Sequence, residues 1–431
     1  MRFLKLLATS LTAIILITAV SRLTFAYIET KKIPTDQIAR AVFQTEAGSI
    51  ARSIAQGKGF SSPYERESGP TAILPPVYPL IVAAVFRIFG VQSAASFHVL
   101  VFLNIVFAAL TCVPIYKIGH RLGGVRVAAI ATWLWALFPN GILIPFEWIW
   151  ETSLSALLGA TILWITLELV DSESLRKWLA YSLLWGLALM TNPALGAAFP
   201  ILFFWAAWPR KVSSAVTQEH SGKLPLTKIL IRPTLALFIA LLCCAPWTIR
   251  NFATFHRFIP FRSGFAFELY IGNNENYSLP YVWPPRISYE RELLRYLRMG
   301  EIPFMDEEKQ KALSFIHAHP NLFLQLAARR FVEFWTGTSE PINAWRTYPA
   351  FLDRLFLLLN LLLPLAALAG AIRLLISRSS YALPLLALPV FFPIVYYITH
   401  SSLRYRHPID PILFLLAAAI CINPPNVVAH L

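Results

Sequence analysis

Few residues in this 431-residue chain combine a reactive type with a suggestive position. Glu46 lies near the start of residues 43–80, the longest polar segment in the first half of a mostly apolar sequence. Glu147 and Glu151 bracket Trp148-Ile149-Trp150 at the head of an apolar run. Two basic clusters stand at the ends of other runs: Arg250-Asn251, after Pro246-Trp247-Thr248-Ile249, and Arg404-Tyr405-Arg406-His407. A positioned carboxylate can take the proton of an attacking hydroxyl, an effect of roughly 10²–10⁴ in rate. Arginine suits a departing phosphate, because its planar fork matches phosphate oxygens and stabilises charge that grows as a bond breaks. One acid and several guanidinium groups are therefore what group transfer from a phosphate donor to a hydroxyl acceptor needs. Each residue also has a plainer reading. Glu46 fits a helix N-terminal carboxylate, Glu147 and Glu151 fit interfacial caps, and the arginines fit anchors for ordinary headgroups. His407 has no second histidine at ligand spacing, so no metal is expected there. The sequence holds no phosphate-binding glycine loop, HExxH or GxSxG motif.

What must position these residues is a membrane bundle. The chain is 57% hydrophobic and only 14% charged, with a mean hydropathy of +0.58; that is too apolar for an ordinary soluble domain. Many apolar runs approach the ~20 residues that cross ~30 Å of hydrocarbon. The formal charge is +14, yet many basic residues sit in short loops between apolar runs. That suits headgroups and topology rather than nucleic acid. Cys112, Cys243, Cys244 and Cys421 fall in or beside apolar runs and read as small core residues. The 13 tryptophans and 15 tyrosines suit interfacial belts.

The expected architecture is an all-α polytopic protein of about ten spans, within a range of about 8–12. Arg2 and Lys5 precede a first span over 6–27, read as retained rather than cleaved. Residues 77–90 are apolar but too short to cross, and carry Arg87, so they read as an interfacial helix. With that choice 96–116 runs inward, and Lys117, Arg121, Arg126, Arg176 and Lys177 share the cytoplasmic side. Runs at 127–139, 151–170, 179–190, 194–208, 234–247, 351–372, 381–398 and 411–421 then alternate, with 210–232 as a flexible linker. Three regions follow: a core over 1–249 with its working outer loop at 28–95, an outer segment over 250–350, and C-terminal spans over 351–431. The outer segment turns helical at 289–299, 306–318 and 321–335, the last with Arg329 and Arg330 as on a helix lying along a membrane.

The stretches EAGSIARSIAQGKGFSSP, GPTAILPPVYPLIVAAVFRIFG, PWTIRNFATFHRFIPFRSGFAFELYIGNN, HPNLFLQLAARRFVEFW and LRYRHPIDPILFLLAA, in this order, resemble the GT-C superfamily of integral-membrane glycosyltransferases. The likeness is to bacterial relatives in glycosyltransferase family 39, with the protein mannosyltransferases and aminoarabinose transferases. It implies transfer of a sugar from a polyprenyl-phosphate donor to an acceptor hydroxyl on a glycan, lipid or protein. The transfer would invert the anomeric centre, at the outer face of a bacterial inner membrane. It further implies Glu46 as catalytic base, Arg250, Arg404 and Arg406 on the donor phosphate, and Tyr78, Glu151, Asn251 and His407 in support. No second carboxylate adjoins Glu46 in sequence, and Asn192 stands where some relatives carry Lys or Arg. The competing expectations are a flippase or transporter for lipid-linked sugars, disfavoured by the lack of internal repeats, and a catalytically silent relative that binds carrier lipid.

Overall fold

The computed structural model describes residues 8–32, 34–170, 172, 174–207, 226–275, 287, 290–338 and 350–422. Among them there is no strand, and helices carry the whole architecture. The first half runs α1 (Leu11–Lys32), α2 (Thr35–Phe43), α3 (Glu46–Ala55), α4 (Val77–Phe89), α5 (Ala94–Leu110), α6 (Cys112–Leu137), α7 (Pro139–Glu147), α8 (Thr152–Leu169), α9 (Leu175–Thr191) and α10 (Phe199–Ala207). After it come α11 (Leu226–Phe255), α12 (Phe265–Gly272), α13 (Glu290–Met299), α14 (Glu301–Ala318), α15 (Pro320–Thr336), α16 (Phe351–Ile376), α17 (Ala382–Phe391), α18 (Ile394–Ile398), α19 (Leu403–Arg406) and α20 (Asp410–Ala418). Arg2, Lys5, the triplet 276–278, Pro284-Pro285 and most of the expected 210–232 linker lie outside the described residues; α11 already begins inside that linker, at Leu226.

Among the described residues, five helical stretches are long and apolar enough to cross a membrane: Leu11–Lys32, Ala94–Leu137, Thr152–Leu169, Pro233–Phe255 and Phe351–Ile376. Val77–Phe89, Pro193–Ala207 and Ala382–Ile398 are apolar but shorter. Length and composition thus mark five candidate stretches among the described residues and do not fix the expected total of about ten crossings. One of the five doubles back. Gly123 and Gly124 leave helical geometry, Gly124 at a φ of 72°, and a Cβ on Gly119 would fall 2.7 Å from the Ala128 Cα. Only glycine allows that reversal and that approach without strain. Helix α4 is 13 residues long, about 20 Å at helical rise, short of the ~30 Å core. It lies against α3, with Tyr78, Val82 and Phe86 in one cluster with Phe43, Ala47 and Ile50.

The bundle has two polar ends, defined by α8. Near its C-terminus Glu168 pairs with Arg121 at 3.7 Å and Lys177 at 3.6 Å, and Arg121 donates to the Tyr381 hydroxyl. At its N-terminus stands Glu151. The basic residues read as cytoplasmic are therefore a helix length away from the acids read as catalytic.

Helix α20 is the keystone of the core. Every residue from Asp410 to Leu416 is buried, because α6, α8 and α16 pack around it. Its approach to α16 is backbone to backbone: a Cβ on Gly370 would meet the Leu416 carbonyl oxygen at 1.7 Å. Arg406, expected at the donor phosphate, and His407, expected in support, belong to this core instead. Arg406 is fully buried. Its Nε donates to Asp410 Oδ1 at 2.9 Å, Nη1 to the Trp335 carbonyl at 2.6 Å, and Nη2 to Asn360 Oδ1 at 2.6 Å. His407 is equally buried and stacks on Trp135 with ring centroids 5.0 Å apart. Arg330, read as a surface residue of a membrane-lying helix, is also buried. It ties α15 to the Tyr397 carbonyl at 3.0 Å, to Asn273 Oδ1 at 3.1 Å and to the Gly272 carbonyl.

Two stability outcomes follow from this core. Gly370→Leu forces α16 and α20 apart and lowers the unfolding free energy in detergent by about 2 kcal/mol or more, read as a drop in melting temperature. Arg406→Met strands the Asp410 carboxylate in the core and costs about 3–5 kcal/mol, whereas Arg406→Met with Asp410→Leu recovers most of that loss in the same melting experiment.

Candidate active site

The polar loop is built by local rules. Thr45 caps α3 by accepting from the Gly48 N–H at 3.3 Å, leaving Glu46 in the first turn where the helix dipole favours a carboxylate. The turn is tight, since a Cβ on Gly48 would meet the Phe43 carbonyl oxygen at 2.3 Å. Downstream, the buried Glu301 carboxylate organises residues 71–73. It accepts from the Ala72 N–H at 2.8 Å, Ser263 Oγ at 2.7 Å, the Tyr296 hydroxyl at 2.9 Å and the Thr71 hydroxyl. Arg250 holds the same loop from the other side, donating to the carbonyls of Thr71 at 2.7 Å and Phe60 at 2.8 Å. Its guanidinium lies over Trp247, 5.0 Å from the ring centroid, and it also donates to Asn251 Oδ1. Asn251 in turn donates to the Ile259 carbonyl at 2.9 Å and is wholly buried. Arg250, expected at the donor phosphate, and Asn251, expected in support, are thus occupied with backbone carbonyls.

The charges gathered around Glu46 come from elsewhere. Those acting on it are Glu268, Arg404 and Arg262, and the same three act on Glu151. A water-sized cavity of about 30 Å³ lies among these elements, bounded by Ala47, Tyr78, Trp150, Glu151, Thr191 and Arg262. Arg262 reaches it from the turn before α12, donating to the Ile73 carbonyl and to Glu268 Oε1, each at 3.1 Å. Glu268 Oε2 lies 3.1 Å from His400 Nδ1. His400 Nε2 is 2.7 Å from the Tyr405 hydroxyl, to which Arg404 Nη2 donates at 3.0 Å. Arg404 sits flat over Trp148, 4.1 Å from the ring centroid, with Trp150 at 5.6 Å. That tryptophan pair is fixed from below. Tyr78 donates to Asn104 Oδ1 at 3.3 Å, and Asn104 donates to the Trp148 carbonyl at 3.1 Å.

Electrostatics sort the groups. Burial pushes the Glu46 carboxyl up, with Glu268 adding to the shift and Arg404 and Arg262 opposing it. Burial likewise carries Glu151 up to about 7, against the pull of Arg404 and Arg262. Glu268 goes the other way: burial would raise it, but His400, Arg262 and Arg404 together hold it low. Carboxyls poised upward beside one held ionised are an arrangement that allows proton transfer near neutral pH. Among the described residues no group of three or more His, Cys, Asp or Glu could hold a metal ion.

The structure therefore brings together Glu46, Glu151, Tyr78 and Arg404 of the expected set, and leaves Arg250, Asn251, Arg406 and His407 outside. Sequence reasoning passed over Arg262, Glu268, His400 and Tyr405. The available signal was an Arg and a Glu in the otherwise apolar FRSGFAFELY. Likewise, the second acid absent beside Glu46 in sequence arrives from α12 and from the head of α8.

Residues 74–249 match the family described as dolichyl-phosphate-mannose-protein mannosyltransferase. No curated protein sequence matches the chain. Among solved structures, the chain is similar to the apo oligosaccharyltransferase of Archaeoglobus fulgidus, at 12% identity and a TM-score of 0.51, over 94% of this chain and 50% of that one. The same enzyme tethered to an acceptor peptide containing the NVT sequon gives 15% identity and a TM-score of 0.50, over 87% and 44%. ArnT from Cupriavidus metallidurans bound to undecaprenyl phosphate gives 13% identity and a TM-score of 0.36, over 88% and 73%. The chain spans about half the length of the archaeal enzyme. At such identities the structural likeness is one of fold. Residues 74–249 are thus similar to the dolichyl-phosphate-mannose-protein mannosyltransferase family, and the chain as a whole shares the fold of the archaeal oligosaccharyltransferase.

Proposed function

We propose that the chain transfers a sugar from a polyprenyl-phosphate donor to an acceptor hydroxyl, with inversion, at the end of the bundle that holds Glu46. The observation that carries the proposal is the shared electrostatic neighbourhood of two upward-shifted carboxyls, Glu46 and Glu151, each acted on by Arg262 and Arg404, beside a cavity that Glu151 and Arg262 line. In this reading Glu46 takes the acceptor proton. Arg404 and Arg262 receive the departing phosphate, where charge grows as the glycosidic bond opens. Glu151, once ionised, keeps the two guanidinium groups oriented. Short helix α4, with Leu80 and Ile88 exposed, offers the apolar flank a polyprenyl chain needs. The match to a dolichyl-phosphate-mannose-dependent family supports this class of donor, and the similar archaeal enzyme tethered to an acceptor peptide supports this kind of acceptor. The basic opposite end, with Arg121 and Lys177, supports an outward-facing site by the positive-inside bias, as in a bacterial inner membrane.

The test is donor turnover by purified protein across a panel of polyprenyl-phosphate sugars. Release of free polyprenyl phosphate with glycosylated acceptor is the expected result. Intact donor with every panel member, or translocation of intact donor in vesicles, would overturn the proposal. Glu46→Gln slows transfer by about 10² or more without changing the melting temperature. Arg404→Ala slows it comparably, because a charge-assisted contact to the phosphate is lost.

A pH profile separates the carboxyls. Glu151 orients the guanidinium groups only when ionised, and it passes from protonated to ionised around 7, so the wild-type rate climbs between about pH 6 and pH 8. Glu151→Gln flattens that climb, measured as initial transfer rate against pH.

A further inference from the structure

Resting on the phosphate-binding reading above, we infer that Glu268, His400 and Tyr405 form a positioning relay. It fixes Arg262 and Arg404 relative to one another and couples their grip on a phosphate to the protonation of His400. One carboxylate serves both arginines. Glu268 Oε1 takes Arg262 directly at 3.1 Å, and Oε2 stands 3.1 Å from His400 Nδ1, an ion-pair contact without hydrogen-bond alignment, from which His400 and Tyr405 lead on to Arg404. The backbone supports this reach. A Cβ on Gly272 would meet the Thr399 carbonyl oxygen at 1.6 Å, so the end of α12 is pressed against the residue preceding His400.

The hydrogens can be assigned from donor inventory. Arginine only donates, so the Tyr405 oxygen accepts from Arg404 and its O–H points at His400 Nε2. His400 then carries its proton on Nδ1, facing Glu268. A proton taken from solvent onto Nε2 reverses one bond: His400 donates, the Tyr405 oxygen receives two donors, and the Tyr405 O–H turns outward. A phosphate oxygen held by Arg404 is the acceptor a bound donor lipid supplies for it.

The relay is open to ligand. The side chains of Glu268 and His400 are 30% and 24% exposed, against 0% and 1% for the sealed Arg406–Asp410 pair one turn away. The charged groups that face His400 are Glu268, Arg404, Arg330 and Arg262. Burial and the three arginines disfavour its cation, while Glu268 favours it, and the net position lies below the ordinary histidine range. Nearby anionic phosphate raises it. Protonation and phosphate binding therefore reinforce each other.

The experiment is titration of the full-length protein in detergent with undecaprenyl phosphate at pH 5.5 and 7.5, with a melting curve for each variant. Tyr405→Phe is expected to weaken binding about tenfold at pH 5.5 while melting normally. Relative to His400→Gln, the wild type gains affinity as the pH falls, a comparison in which the lipid's own ionisation cancels. If both variants bind as wild type at both pH values while Arg404→Ala weakens binding, the relay is overturned and the phosphate reading stands. If Arg404→Ala and Arg262→Ala also bind as wild type, the phosphate reading itself fails. Affinity losses that track a lost melting transition, and that Glu268→Asp does not restore, assign the three residues to folding and overturn the relay as well.

Discussion

The site depends on a backbone contact that a side chain would forbid. The last residue of α12, Gly272, presses against the Thr399 carbonyl oxygen, and the buried Arg330 locks the contact by donating to Gly272, Asn273 and Tyr397. Asn273 adds its own bond to the Ile398 carbonyl at 2.8 Å. A helix of the outer segment and the turn before α19 are thereby joined as one body. Without that junction Glu268 has no reason to lie beside His400, and Arg404 and Arg262 would belong to separate, independently moving pieces. A buried arginine with carbonyl partners is a costly element to place in a core unless its donors are satisfied. Here most of them are, which is why such a charge can serve as a rivet.

Much of this was legible in the residues, and the failures have physical causes. The polar loop, the short helix after Pro75-Pro76 and the turn at Asn192-Pro193 follow from composition and run length, and α4 and α9–α10 appear where those signals stood. The basic cluster at 404–407 misled because it was read as a unit. On a helical turn, residues two apart point about 200° from each other, so Arg404 faces the tryptophans and Arg406 faces the core. Arg250 misled for a different reason. An arginine at a helix end beside water looks like a ligand-binding cation, yet the loop carbonyls of Thr71 and Phe60 claim it first. Arg262 and Glu268 are near in sequence, as are His400 and Tyr405, but nothing local joins the first pair to the second, more than a hundred positions away.

The two ends of the bundle show the same chemistry used in opposite ways. At one end Glu168, Arg121 and Lys177 are separated by 3.6–3.7 Å and partly solvated, a loose arrangement whose worth is modest. At the other, the acids and guanidinium groups are held in sparse solvent by aromatic walls: Trp148 beneath Arg404, and Tyr396 stacked on Tyr405 at 4.7 Å. Fewer competing water dipoles make each charge there count for more. That difference, rather than the number of charges, separates a topology signal from a site.

Helix α20 has a bearing on how the protein is made. It is nine residues long, about 14 Å, too short for the insertion machinery to recognise as a span, and it carries an acid at its head. It also follows α6, α8 and α16 in the chain, the helices that enclose it. Those three must already be threaded through the bilayer when it emerges, so this segment enters a waiting protein slot rather than lipid.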